Sequence, residues 1–95
     1  MHTNLLVELH LKEGQADAFA AMFEREFIGR SRQEAGCLYY ALWSDKENPH
    51  RKTIVESWRS QADFDAHLAQ AWFKEWAPHM EAALREPFTI RFLNS

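Results

Sequence analysis

An α+β fold in the order β-α-β-β-α-β is what this sequence predicts, and three observations predict it. Apolar residues alternate with polar ones in stretches near both ends and in two central stretches, as in strands. Between them lie segments whose apolar residues recur at three and four, as on one face of a helix. The two central strands are joined by the polar turn Asp45–His50, short enough to make them an antiparallel hairpin.

The first strand is Asn4–Leu11. Leu5, Val7, Leu9 and Leu11 fall on one side; Asn4, Leu6, Glu8 and His10 fall on the other. Lys12-Glu13-Gly14 breaks it. A helix follows over Gln15–Gln33, with Ala16, Phe19, Ala20, Phe23 and Phe27 as its apolar stripe. Gly29 weakens its last turns, since glycine costs about 1 kcal/mol against alanine in a helix. Gly36 stops it, as a left-handed glycine commonly does. Cys37–Ser44 is the second strand, with Leu38, Tyr40 and Leu42 on one face and Cys37, Tyr39, Ala41 and Trp43 on the other. Arg51–Trp58 is the third strand. Ser60-x-x-Asp63 has the form of a capping box and opens a helix over Gln61–Ala69. A second helical piece runs over Ala71–Arg85, and Pro78 predicts a kink or restart near Trp76. The last strand is Phe88–Leu93. This order is the ferredoxin-like split βαβ arrangement, a four-stranded antiparallel sheet with helices on one face. Several strands are apolar on both sides, so the uncovered face calls for a second cover, and an identical subunit is the simplest one.

The 95 residues make one domain, 1–95. A net charge of −3 without a basic cluster gives no electrostatic basis for nucleic-acid binding. Cys37 is the single cysteine, which excludes an internal disulfide and fits a reducing compartment. The N-terminal MHTNLLVELHLKEG lacks the features of a signal peptide, and no apolar run nears the roughly 20 residues that span a bilayer. The expected setting is cytoplasmic, with no membrane partner. No glycine-rich phosphate loop or dinucleotide fingerprint is present, and closely spaced His or Cys ligand pairs are absent, so neither a cofactor nor a metal is expected.

The run Gly36-Cys37-x-x-Tyr40-x-Leu42-x-x-Asp45, then Pro49, Glu56-x-Trp58, Phe64-x-x-His67 and Trp72-Phe73 resembles the antibiotic biosynthesis monooxygenase family over nearly the whole chain. The resemblance implies a dimeric α/β barrel in which two sheets face each other and each subunit holds a pocket between sheet and helices. The family includes cofactor-free monooxygenases that convert phenols or quinols to quinones, haem-degrading enzymes, and an isomerase of a phosphorylated signalling compound. The haem-degrading pattern has a tryptophan where this chain has His67, and its iron-binding histidine aligns near Ala77, with His79 off register. Asn4 matches an asparagine that this branch and some quinol-oxidising members carry on the first strand. Gln33-Glu34-x-Gly36 and Phe27-x-Gly29 resemble the isomerase branch.

His67 is the strongest candidate for chemistry, because imidazole exchanges a proton near neutral pH; its structural alternative is a partly buried histidine bonded to a carbonyl. Glu56 and Trp58 point the same way on the third strand. Glu56 can orient His67 or act on substrate, and it can equally pair with Arg91 or across a dimer interface. Asn4 can bond a substrate oxygen or face water. Tyr40, Trp58, Phe23, Trp72, Phe73 and Trp76 are candidate pocket walls, although aromatic stripes also simply build cores. His79 is a second candidate proton carrier, while His2, His10 and His50 read as solvent-facing. Cys37 reads as a small buried hydrophobe.

The leading function is a cofactor-independent monooxygenase acting on an electron-rich quinol, naphthol or polyphenol with dioxygen as co-substrate. His67 would be the base and Asn4 would hold an oxygen. The alternatives are an oxygen-independent isomerase of a small carbonyl compound, with Arg91 or Lys74 meeting an anionic substrate, and a non-catalytic binding module.

Overall fold

The computed structural model describes residues 1–94. Strands β1 (Thr3–His10), β2 (Cys37–Ser44), β3 (Arg51–Trp58) and β4 (Thr89–Leu93) form one antiparallel sheet in the order β2-β3-β1-β4. Helices α1 (Ala16–Phe23) and α2 (Gly29–Arg32) are joined by the π-helical turn Glu24–Ile28; α3 (Gln61–Leu68) and α4 (Ala71–Ala82) follow the hairpin. The sheet order and the element order are those of the ferredoxin-like fold.

Strand register decides which residues meet. Glu56 of β3 stands opposite Leu5 on β1 and Tyr40 on β2, and Leu5 stands opposite Phe92 on β4. The next row on the same face is Leu42, Ile54, Val7 and Ile90. Leu5, Val7, Leu9, Ile54 and Trp58 are buried from this face by Phe19, Phe23, Phe27, Phe64 and Met80 of the helices. Each such side chain contributes about 1.5–3 kcal/mol when fully buried. The opposite face leaves Tyr39, Trp43 and Leu93 exposed.

The structure differs from the sequence reading at four places. Strict alternation on β2 fails because a β-bulge between Cys37 and Tyr39 lets Cys37 pair with Trp58 and Tyr39 with Ser57. Cys37 therefore shares the helix-side face with Tyr40, and Leu38 is pushed out to half exposure. The first helix is irregular one turn before Gly29, where the wider π turn carries both Phe27 and Ile28 into the core. Helix α4 runs through Pro78 without a restart and ends at Ala82 rather than Arg85. An interior proline costs about 3 kcal/mol. Buried Met80 and partly buried Trp72, Phe73 and Trp76 hold α4 against the core and offset that cost. Beyond α4 the chain pairs with the end of β1, through Lys12 N–H to the Ala83 carbonyl and Arg85 N–H to the His10 carbonyl.

Gly36 is the fourth correction. It does not take the left-handed conformation; among the described residues only Gly14 does, at φ 80°. Helix α2 ends instead at Gln33, still in right-handed helical geometry. Gly36 is needed for close approach, because a Cβ there would overlap the side chain of Asp63. Asp63 cannot readily withdraw. Its backbone N–H donates to the Ser60 hydroxyl, and its carboxylate takes two bonds from Arg59 at 2.8 and 3.1 Å.

Two glycine substitutions should therefore act in opposite directions. Gly36→Ala overpacks the α3 start and should lower stability by about 1–3 kcal/mol. Gly29→Ala, at φ −59° with open space around the new methyl, should raise it by about 0.5–1 kcal/mol. Urea unfolding of both variants beside the parent protein checks the pair; equal signs would contradict this packing account.

Candidate active site

His67 lies on the last turn of α3, where α3 crosses the sheet beside Trp58, and is 1 % exposed. Its ring is boxed by aromatics: Trp58 at 4.5 Å, Phe73 at 4.9 Å, Tyr40 at 5.5 Å and Trp72 at 5.7 Å between centroids. Burial in this box pushes the imidazole down to about 4, because the charged form loses its hydration. The ring is neutral at physiological pH.

Glu34, in the loop after α2, supplies its one hydrogen-bond partner: Oε1 lies 2.8 Å from His67 Nδ1. Burial pushes the Glu34 carboxyl up to about 7. Nε2 of His67 and Oε2 of Glu34 are buried without a protein partner. An unpaired buried imidazole nitrogen is costly.

His67 lines two hollows. One is a cavity of about 200 Å³ between sheet and helices, walled by Leu5, Val7, Ile54, Phe64, Phe73 and Ile90, with Tyr40, Glu56 and His67 as its hydrogen-bonding side chains. The other is a cleft of about 230 Å³ at the surface, lined by Glu34, Gly36, Asp63 and Gln70. Nδ1 is turned to Glu34, which lines the cleft and not the cavity. A wider groove of about 480 Å³ near Glu81 and Arg85 contains none of the candidate catalytic side chains.

Glu56 enters the cavity because strand alternation puts it on the helix-side face with Trp58. It accepts a 2.9 Å bond from Trp58 Nε1, not from Arg91, which stands opposite Leu6 on the other face of the sheet. Burial pushes its carboxyl up to about 7; the Trp58 bond partly opposes this, and the nearby charge of Glu34 adds to it. Burial also holds the Tyr40 phenol well above its usual range.

The structure gathers His67, Glu56, Tyr40 and Phe73 around one cavity. Trp58 and Trp72 stand directly behind it, against the His67 ring, and Phe23 is fully buried one layer deeper, stacked on Phe27 and Tyr40. It does not bring Asn4, Trp76 or His79 there. Asn4 lies on the opposite sheet face, accepting a bond from Ser57. His79 is exposed and packs on Trp76 at 4.8 Å, on the outer side of α4. Lys74 is likewise exposed. Glu34 is the residue that the sequence reading placed in no role; its only signal was the Gln33-Glu34-x-Gly36 run. Among the described residues no group of three His, Cys, Asp or Glu side chains is placed to hold a metal ion, and no helix is long and apolar enough to cross a membrane.

Residues 4–79 match the family described as antibiotic biosynthesis monooxygenase. A Synechocystis protein of uncharacterized role is 28% identical over 83 residues, which is 87% of this chain and 56% of that relative; the chain thus spans little more than half the relative's length. A crystal structure of an antibiotic biosynthesis monooxygenase superposes with a TM-score of 0.89 at 26% identity, covering 98% of this chain and 97% of the other. A Pseudomonas aeruginosa protein does so at 0.87 and 28%, covering 99% and 93%. A mutant of SnoaB, a cofactor-independent oxygenase from Streptomyces nogalater, shares the fold at 0.87 and 15% identity, covering 99% and 92%.

The Glu56 environment yields a stability prediction. The folded state keeps the Glu56 proton up to about 7, whereas the unfolded chain releases it near 4.5. Its folded pKa is raised, so folding loses stability as pH rises from about 4.5 through about 7. The loss is of order 3 kcal/mol above that window. Glu56→Gln should therefore melt higher than the parent at alkaline pH and show a smaller difference under acid conditions. Melting curves at both ends check it; a variant that is less stable only at alkaline pH would reverse the sign.

Proposed function

Because the chain belongs to the antibiotic biosynthesis monooxygenase family, we propose that it oxidises a small, uncharged, electron-rich phenol or quinol to a quinone with dioxygen and without a cofactor. Two observations carry this reading: His67 Nε2 has no hydrogen-bond partner, and His67 lines an apolar cavity that also holds Glu56 and Tyr40. A cavity of about 200 Å³ is smaller than the roughly 300–1,000 Å³ of drug-sized sites. It exceeds the roughly 150 Å³ apolar cavity that takes up benzene. A single ring or a compact two-ring phenol is the matching size class. No lysine or arginine lines the cavity, which favours a neutral substrate over the phosphorylated carbonyl compound of the isomerase alternative.

The residues divide the work as follows. His67 Nε2 accepts the phenolic proton. The phenolate passes one electron to dioxygen, and the resulting superoxide joins the phenoxyl radical at a ring carbon. The imidazolium returns its proton to the peroxide. The ring hydrogen then departs with the distal hydroxyl as water, leaving a carbonyl. Phenol and dioxygen thus become quinone and water. Glu56, protonated below about 7, donates a hydrogen bond to a substrate oxygen, the task assigned from sequence to Asn4. Apolar walls exclude water and admit dioxygen.

Oxygen uptake over a panel of one- and two-ring quinols and naphthols, corrected for autoxidation, tests the reading. His67→Ala should remain folded and lower the protein-dependent rate by about 10²–10⁴-fold. Equal uptake by the variant on a genuine substrate would overturn the assignment of His67. Turnover that is unchanged under nitrogen would replace the oxygenase with an isomerase.

The same reading includes a homodimer formed through the outer sheet face, where Trp43, 58% exposed, and Tyr39 on β2 and Leu93 on β4 are open. Exposed aromatic side chains on the sheet face opposite the helices favour pairing with a second copy. Sedimentation should give a dimer at micromolar concentration, and Trp43→Glu should shift it toward monomer; a monomeric parent protein would contradict the pairing.

A further inference from the structure

The loop carboxylate of Glu34 is the one polar group bonded to the ring of His67, and it lines the cleft and not the cavity. An imidazole with one N–H has two tautomers, and the bond at one nitrogen selects which nitrogen keeps the lone pair. We propose that Glu34 is the positioning residue of His67: as a carboxylate it accepts the Nδ1–H bond and leaves the Nε2 lone pair to the cavity, and when protonated it donates to Nδ1 and makes Nε2 a donor, switching the base off. The proposal rests on the reading of His67 as the base.

Three features support it independently. The 2.8 Å separation serves either direction of the bond, so the proton can lie on Glu34 or on the ring without rearrangement. The second Glu34 oxygen, Oε2, has no protein partner, so no bond at that oxygen holds the carboxyl in one protonation state. The local charges do not lock Glu34 in one state. Arg32, on its own segment, donates through Nε to the Tyr40 carbonyl at 3.0 Å, and Asp63 of α3 is held by Arg59. Around Glu34, its charge helps to raise Glu56 of β3 and Tyr40 and Cys37 of β2, so these groups stay protonated beside it more readily. Raised by burial to about 7, Glu34 changes state within the physiological range.

The ionised Glu34 also answers an energetic difficulty. His67 is reluctant to become an imidazolium in its aromatic box. A carboxylate at 2.8 Å offsets part of that cost at the moment the ring takes a proton. The rising limb of activity should therefore follow Glu34 near 7 and not His67 near 4, while loss of the Glu56 proton in the same range sets the falling limb.

Nitrogen-15 NMR of the histidine side chains tests this in the resting protein, with no substrate needed. His67 should carry its proton on Nδ1 above pH about 7 and on Nε2 below it. Glu34→Gln should abolish that change of tautomer, and Glu56→Gln should keep it. With a substrate in hand, Glu34→Gln should lower kcat by about 10²-fold or more at little change in KM and remove the rising limb of the pH profile near 7. A tautomer that is the same on both sides of 7, or a change that survives Glu34→Gln, overturns the proposal. If the tautomer changes as described but no oxygen is consumed, the positioning role stands and the oxygenase reading fails. If uptake depends on His67 while the tautomer does not move, the oxygenase stands and the role of Glu34 fails.

Discussion

The hydrogen bond between His67 Nδ1 and Glu34 Oε1, at 2.8 Å, ties the proposed chemistry of this fold to its architecture. The aromatic box would otherwise enclose an imidazole with no polar partner at all. That would cost about 1–3 kcal/mol for each unsatisfied group and leave the ring free to choose either tautomer. With the bond in place, α3 is joined to the loop behind α2, and one ring nitrogen remains without a partner. The close approach needed for this joint also explains Gly36 and the Asp63 cap, which sit at the same junction.

The sheet is what separates the two roles of the chain. Its helix-side face combines a core of Phe23, Phe27 and Trp58 with a cavity at the β4 side, where Ile90 and Phe92 stay partly open because no helix fully covers that edge strand. Its outer face mixes exposed Tyr39, Trp43 and Leu93 with the polar Asn4, Glu8, Thr53 and Arg91. The proposed site and the proposed dimer face thus lie on opposite surfaces of the same strands.

Much of this was legible in sequence. Period-two alternation and helical stripes placed four strands and three helical segments to within a few residues, and the Ser60–Asp63 cap was read directly. His67, Glu56, Tyr40 and Phe73 were named from a strand face and a helix face that the fold then brought together. The misses have local physical causes. A bulge adds a residue to β2 and rotates Cys37 inward, which no alternation rule anticipates. Asn4 is one residue away from Leu5, and a one-residue offset on a strand is a change of face. Glu34 lies in a loop without periodicity and meets His67 across 33 positions of sequence, so only tertiary structure could join them. Gly36 was recognised as required but for backbone freedom, where the actual constraint is the Asp63 side chain.

The central claim is that His67 Nε2 is the group that meets a substrate hydroxyl inside the sheet–helix cavity. A crystal structure with an oxidation-resistant phenol bound, such as a nitrophenol, tests it most directly. The account predicts the ring among Phe64, Phe73 and Ile90 with its oxygen within hydrogen-bond distance of His67 Nε2. A phenol seated instead in the Glu34 cleft or on the outer sheet face, with His67 Nε2 untouched, would contradict it.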